Sequence, residues 1–187
     1  MALIELPKIP TVLIDVAAWG LIHAGTGYLV HRMNNRRLDH DTWLTTPRTW
    51  ERSGRIYERV AIRRWKDKLP EAGAIFAGGV SKKSLPASHD SDLLVFATET
   101  RRAEVGHVLA VAASPLFFVW NSVPVGVFMV VYGIGVNVPF IAIQRYNRLR
   151  IARLLARRSR MSRVGRPGDA APSSWRVERG TTGNNMP

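Results

Sequence analysis

From His107 to Ile143 the chain runs for thirty-seven residues without an Asp, Glu, Lys or Arg. A single helical crossing of a bilayer needs ~20 predominantly apolar residues. The run is therefore long enough for two. Asn121, Ser122 and Pro124 interrupt it and divide it into legs at about residues 105–123 and 124–143. Either a tight transmembrane hairpin or a partly re-entrant one returns the chain to its starting side, so His107 and Gln144 share a membrane face. An earlier apolar segment, about residues 9–30, contains Asp15 and His23, and Gly20, Gly25 and Gly27 give it surfaces for close helix contact. The expected fold is mainly α: an integral membrane protein with about three transmembrane helices, the last two a hairpin, and a cytoplasmic amphipathic region.

Charge is segregated in the same pattern. Mean hydropathy lies near zero only because apolar runs and basic stretches cancel. The formal net charge is +13, which in a soluble chain would point to nucleic acid. Here the cations flank the apolar segments, where anionic headgroups account for them, and no nucleic-acid partner is expected. Residues 34–104 carry fourteen Lys and Arg and the chain from Arg145 onward carries eleven, whereas Lys8 alone precedes the first span. The positive-inside rule then predicts a multi-pass protein of the cell membrane, with the N-terminus outside and the 34–104 region and C-terminus cytoplasmic. The N-terminus does not read as a secretory signal: Glu5 is acidic, and no small-residue cleavage site precedes His31–Arg37. No cysteine is present, which excludes disulfides and thiolate chemistry.

Within the middle region, Trp50, Ile56, Tyr57, Val60, Ala61 and Trp65 recur near helical spacing among Arg and Lys, between Pro47 and Pro70. This predicts a basic amphipathic helix over about 49–69, lying in the headgroup layer. Residues 73–92 read as loop, and "DLLVFATETRR" as a short strand or the lead-in to the second span. Beyond about Ser159 the composition predicts a disordered basic tail, 159–187, after a single membrane-embedded domain, 1–158.

Standard catalytic motifs are absent: no G-x-S-x-G, P-loop, G-x-G-x-x-G or H-E-x-x-H. Neither His40 nor His89 has the Asp five positions on that glycerolipid acyltransferases use. No metal site is expected. What remains is a polar collar where the spans leave the membrane. "ETRRAEVGH" places Glu99, Arg101, Arg102, Glu104 and His107 together, and on a helix Glu104 and His107 share a face. A carboxylate beside an imidazole can hold its tautomer for general-base work. Opposite lie Asn137, Pro139, Gln144 and Asn147. Asn137 needs either an interhelical partner or a polar substrate, and Pro139 weakens the local hydrogen-bond ladder. Arg145 and Arg148 read first as headgroup anchors.

Several stretches together resemble the glycosyl-4,4'-diaponeurosporenoate acyltransferases, membrane enzymes of staphyloxanthin-type carotenoid biosynthesis. They are Trp50-Glu51, Tyr57-Glu58, "WKDKLPEAG" from Trp65, Lys82-Lys83, "ETRRAEVGH", Trp120-Asn121, Asn137 with Pro139, and "QRYNRLRI" from Gln144. They span about residues 47–151, and the long basic tail departs from the family. The resemblance implies transfer of a fatty acyl group to a sugar hydroxyl of a glycolipid, with membrane lipids, the glycolipid acceptor and an acyl donor as partners. No bound cofactor is implied; acyl-CoA or acyl carrier protein is the expected donor. Chemistry then suggests His107 as base and Glu104 as its orienting partner. Arg101, Arg102, Lys66 and Arg145 are anion or oxyanion donors. Asn137, Gln144 and Asn147 hold sugar hydroxyls, Trp50 or Trp65 stacks on the ring, and Glu58 and Glu99 complete the polar face. The competing reading is a non-catalytic scaffold that binds anionic lipids.

Overall fold

The computed structural model describes residues 7–69 and 89–164, and every regular element among them is helical. Helix α1 (Lys8–His31) opens after Pro7. Pro10 sits in its first turn, where the missing N–H would have had no intrahelical acceptor. A 3-10 turn, Asn35–Arg37, leads into an irregular stretch and two short helices, α2 (Arg55–Arg59) and α3 (Ile62–Trp65), closed by a 3-10 turn at Lys66–Lys68. Helix α4 (Asp90–Ala113) carries Asp90 and Asp92 in its first turn, where the helix dipole favours negative charge. It tightens into a 3-10 segment, Ser114–Val119, with Pro115 at its start. Helix α5 (Val123–Val164) then runs back along it.

Three helical stretches are long and apolar enough to cross a membrane: Lys8–His31, Asp90–Val119 and Val123–Ser162. The apolar side chains of α1 and the first half of α5 face outward, among them Val12, Leu13, Val16, Leu21, Phe128, Val131 and Ile134. In water such a belt would be a liability; against hydrocarbon it is the expected surface. At 42 residues, α5 is ~63 Å long, about twice the hydrocarbon thickness. Its apolar half ends near Ile143, so the half from Gln144 projects from the membrane beside the start of α4.

Small residues and buried polar bonds hold the bundle. Gly133 of α5 lies where a Cβ would come within 2.6 Å of the Trp19 ring and 3.2 Å of Ser114 Cβ. Trp19 stacks on Phe117 at 4.9 Å between centroids. At the far end, buried Asp15 Oδ1 accepts from Trp120 Nε1 and Asn121 Nδ2, each at 2.8 Å. Asp15 thus clamps α1 to the hairpin turn. Where α1 ends, Arg102 donates to the backbone oxygens of Val30, His31 and Met33 and to the Asn35 side chain. These are carbonyls that a helix C-terminus leaves without intrahelical donors.

The structure corrects two expectations and decides a third that the sequence left open, between a strand and the lead-in to the second span. The 49–69 stretch is not one helix: Gly54 (φ 66) and Ala61 (φ 50) break it into α2 and α3. Tyr57 and Ile62 both pack against Ile143, Tyr146 and Leu149 of α5. On a straight helix these two positions point ~140° apart, so only the break lets both reach one partner. "DLLVFATETRR" is helical and belongs to α4, which begins well before residue 105. Helix α5 continues past Ser159 to Val164, with Arg158 paired to Asp90 at 2.5 Å. The tail from 165 onward, Lys82-Lys83 and most of the expected 73–92 loop lie outside the described residues.

Candidate active site

Where α4 and α5 leave the apolar zone, four charged side chains form one buried network. Glu104 is wholly buried and accepts from Arg145 Nε at 2.6 Å and from Arg148 Nη2. Arg145 also donates from Nη1 to both oxygens of Glu51, at 3.1 and 3.0 Å, and from Nη2 to Leu44 O at 2.9 Å. Arg148 Nη2 donates to Thr45 O at 2.7 Å. Glu51 further accepts from Tyr57 OH and from the Arg48 backbone N–H, both at 2.6 Å. Burial by itself would raise the Glu51 pKa; the bonds from Tyr57, Arg48 and Arg145, with the Arg145 charge, outweigh it and hold the carboxyl below its usual range. Burial, then the bond to Glu51 and its negative charge, push the Tyr57 phenol well above its ordinary range.

One turn deeper along α4, His107 makes a different pairing. Its Nδ1 lies 2.9 Å from Asn137 Oδ1, and Asn137 Nδ2 donates to Gly133 O at 2.8 Å. That second bond orients the amide with its oxygen toward the imidazole. In the neutral ring Nδ1 is then the donor, and Nε2 carries the lone pair. Phe140 stacks on the imidazole at 4.8 Å and 10°. His107 is therefore held in tautomer and plane by Asn137 and Phe140. Gln144, one turn beyond Phe140, is buried with its Oε1 unpartnered.

The remaining expected residues divide by position. Asn147 is buried on the same side of α5. Arg101 donates from Nε to Asp41 at 2.6 Å and from Nη1 to Leu38 O at 3.2 Å. Arg102 caps α1 and pairs with Glu99 at 3.1 Å. Lys66 pairs with its neighbour Asp67. Trp65 packs beside Tyr57 and Ile62 and donates from Nε1 to Val60 O at 2.9 Å. Trp50 and Glu58 are exposed, Glu58 pairing with Arg63 at 3.6 Å. The arginines proposed as oxyanion donors are thus engaged in holding elements together. No functional role was legible in the sequence for Glu51, Tyr57 or Asp41, nor was the burial of Arg148. The Asn137, Gln144, Arg148, Ile151 spacing on one side of α5 was the available signal for that burial.

Fold and site define a polytopic helical membrane protein with a polar centre where its hairpin emerges. The family of glycosyl-4,4'-diaponeurosporenoate acyltransferases matches residues 39–157, and the chain belongs to it. The matched range omits α1 and holds both the charged network and the His107–Asn137 pair. A glycosyl-4,4'-diaponeurosporenoate acyltransferase of Staphylococcus haemolyticus (strain JCSC1435) is 30% identical over 106 residues, 55% of this chain and 60% of its own length. One from Staphylococcus aureus (strain bovine RF122 / ET3-1) is 28% identical over 109 residues, 57% of this chain and 64% of its own. The chain thus spans less than two thirds of the curated relatives it matches. No solved structure matches it.

Proposed function

We propose that this protein transfers a fatty acyl group from a thioester donor to a sugar hydroxyl of a glycosylated lipid at the cytoplasmic membrane face. The family supports the reaction class, and its relatives' names supply a glycosylated carotenoid acid as the model acceptor. The observation that carries the site is His107 held through Nδ1 by Asn137, itself anchored to Gly133 O. In this reading Nε2 takes the hydroxyl proton as the sugar oxygen attacks the thioester carbonyl carbon. The tetrahedral intermediate collapses with cleavage of the C–S bond, and the thiolate leaves with the proton returned from the imidazolium. The products are an ester and a thiol. Gln144 Oε1, buried without a donor, suits a neighbouring hydroxyl of the same sugar and leaves the attacking hydroxyl's proton for Nε2. The scaffold alternative needs the collar arginines to face lipid; the burial of Arg145 and Arg148 against Glu104 weighs against it.

The test is expression in a host supplied with glycosyl-4,4'-diaponeurosporenoate and mass analysis of the lipid extract. Wild type should add the mass of one acyl group, and His107→Ala should lower its formation by about 10²–10⁴-fold at equal membrane abundance. Equal product from the variant would remove His107 as base. No acylated lipid from wild type would remove the reaction itself for this acceptor.

A further inference from the structure

On the aqueous side of the charged network, between α4, the projecting half of α5 and the segment after α1, lies a cavity of about 400 Å³. Arg148 lines it, and although only 5% exposed it leaves Nε and Nη1 without hydrogen-bond partners. Nε lies 3.9 Å from Asp41 Oδ1, beyond a hydrogen bond. Arg101 and Asp39 also line the cavity, and Leu94 and Leu155 give it an aliphatic side. The wall therefore offers buried donors, carboxylate acceptors and apolar surface together. An apolar ligand would leave the Arg148 donors unsatisfied. A phosphate, all acceptor, would face Asp39 and Asp41 at close range.

A neutral chain that alternates amides or hydroxyls with methylene and methyl groups satisfies all three surfaces. Position narrows the class further. Arg101 precedes His107 by ~9 Å along α4, and Leu94 precedes it by ~20 Å. An arm lying in the cavity with its reactive end at His107 would pass the Glu104–Arg148 pair that separates the two and span a distance of about three to six extended residues. Exposed Arg36 and Arg37 directly follow Asn35, which lines the cavity, so cations sit in the adjoining segment, while the cavity wall itself sets Asp39, Asp41 and Glu99 against Arg101 and Arg148. We infer that this cavity binds the amide-rich arm of the acyl thioester donor, a phosphopantetheine-type chain, with its phosphate toward the exposed arginines. The inference rests on the acyl-transfer reading above.

The arm's source is coenzyme A or a carrier protein, and the test separates them. The full chain in detergent micelles is titrated with two non-transferable thioethers, hexadecyl-coenzyme A and a carrier protein bearing the same hexadecyl arm. At least one should bind wild type, and the stronger identifies the source. Ala152→Phe, which fills the cavity from an exposed position, should weaken that Kd about tenfold or more. Asp39→Ala, exposed and of little risk to folding, should weaken it in the same direction. Both variants should keep the wild-type KM for the glycolipid acceptor. If neither probe binds, if both variants bind the thioether as wild type does, or if the acceptor KM moves instead, the assignment is overturned. Because binding is read without turnover, a chain that binds the arm here yet forms no acylated glycolipid would sink the reaction and leave this site standing.

Discussion

Arg145 and Arg148 stand at the end of an apolar helix, where arginines ordinarily serve anionic headgroups. Here both turn inward to Glu104, and the distinction has an energetic consequence. Removing one member of a buried ion-pair cluster leaves the others charged without compensation, at a cost of about 3–5 kcal/mol. Glu104→Leu should therefore lower the melting temperature of the detergent-purified protein far more than Glu58→Leu, whose exposed pair with Arg63 is worth little. Glu51 adds a pH dependence. Its folded pKa lies below the usual 4.5, so between those values the unfolded chain binds more protons and stability falls as pH falls. In Glu51→Gln the loss of stability as pH falls through and below 4.5 should be shallower than in wild type. In the proposed reaction Asn137 positions His107, and the test is a change in kinetics rather than in folding alone. Asn137→Ala should reduce kcat about tenfold or more and shift the pH profile of kcat, with a smaller effect on acceptor KM. An unchanged profile would mean that Asn137 serves only the helix contact. Of these roles the sequence revealed that His107 and Asn137 share one end of the hairpin, because the return of the chain forces it. It did not reveal that Glu104 would be buried against Arg145 and Arg148 of α5, because only packing decides which residues of another helix a carboxylate meets.

At the level of elements, run length and charge segregation made the three spans legible, whereas boundaries depended on tertiary contacts. The polar lead of α4 is helical because Leu93, Phe96 and Ala97 pack on Ile151 beyond the membrane, a contact between residues far apart in sequence. The break at Ala61 was hidden for a related reason: alanine favours helix, and only the need for Tyr57 and Ile62 to reach α5 together forces it to a positive φ. An L-residue there costs roughly 1–2 kcal/mol. Ala61→Gly should therefore not destabilise the protein as glycine does inside a helix, and a lowered melting temperature would contradict the strain. Gly133 behaves oppositely. A side chain there must enter the space held by Trp19 and Ser114. Gly133→Val should cost about 1–3 kcal/mol and, by tilting α5 one turn below Asn137, reduce transfer as well. Loss of stability with full kcat would place the damage at the far end of the bundle alone.

The whole molecule places Asp15, Trp120 and Asn121 at one end and the charged network with its cavity at the other, about one hydrocarbon thickness apart by the length of the spans. Acyl transfer from a soluble carrier works only if the second end faces the cytoplasm, the side that the excess of Lys and Arg predicts for it. The chain has no cysteine, so any introduced thiol is the only one and topology can be read directly. Ser122 in the hairpin turn, Ser53 before α2 and Ser159 on the projecting half of α5 are all exposed, and each becomes cysteine by a single-atom change. In intact cells a membrane-impermeant maleimide should label Ser122→Cys and spare Ser53→Cys and Ser159→Cys; permeabilised cells should label all three. The opposite pattern would put the cavity and His107's end of the hairpin outside, away from every cytoplasmic thioester, and the donor would have to reach the site from within the bilayer. Labelling of all three in intact cells would show that the apolar runs do not separate the two ends, and a peripheral arrangement would replace the three-span one.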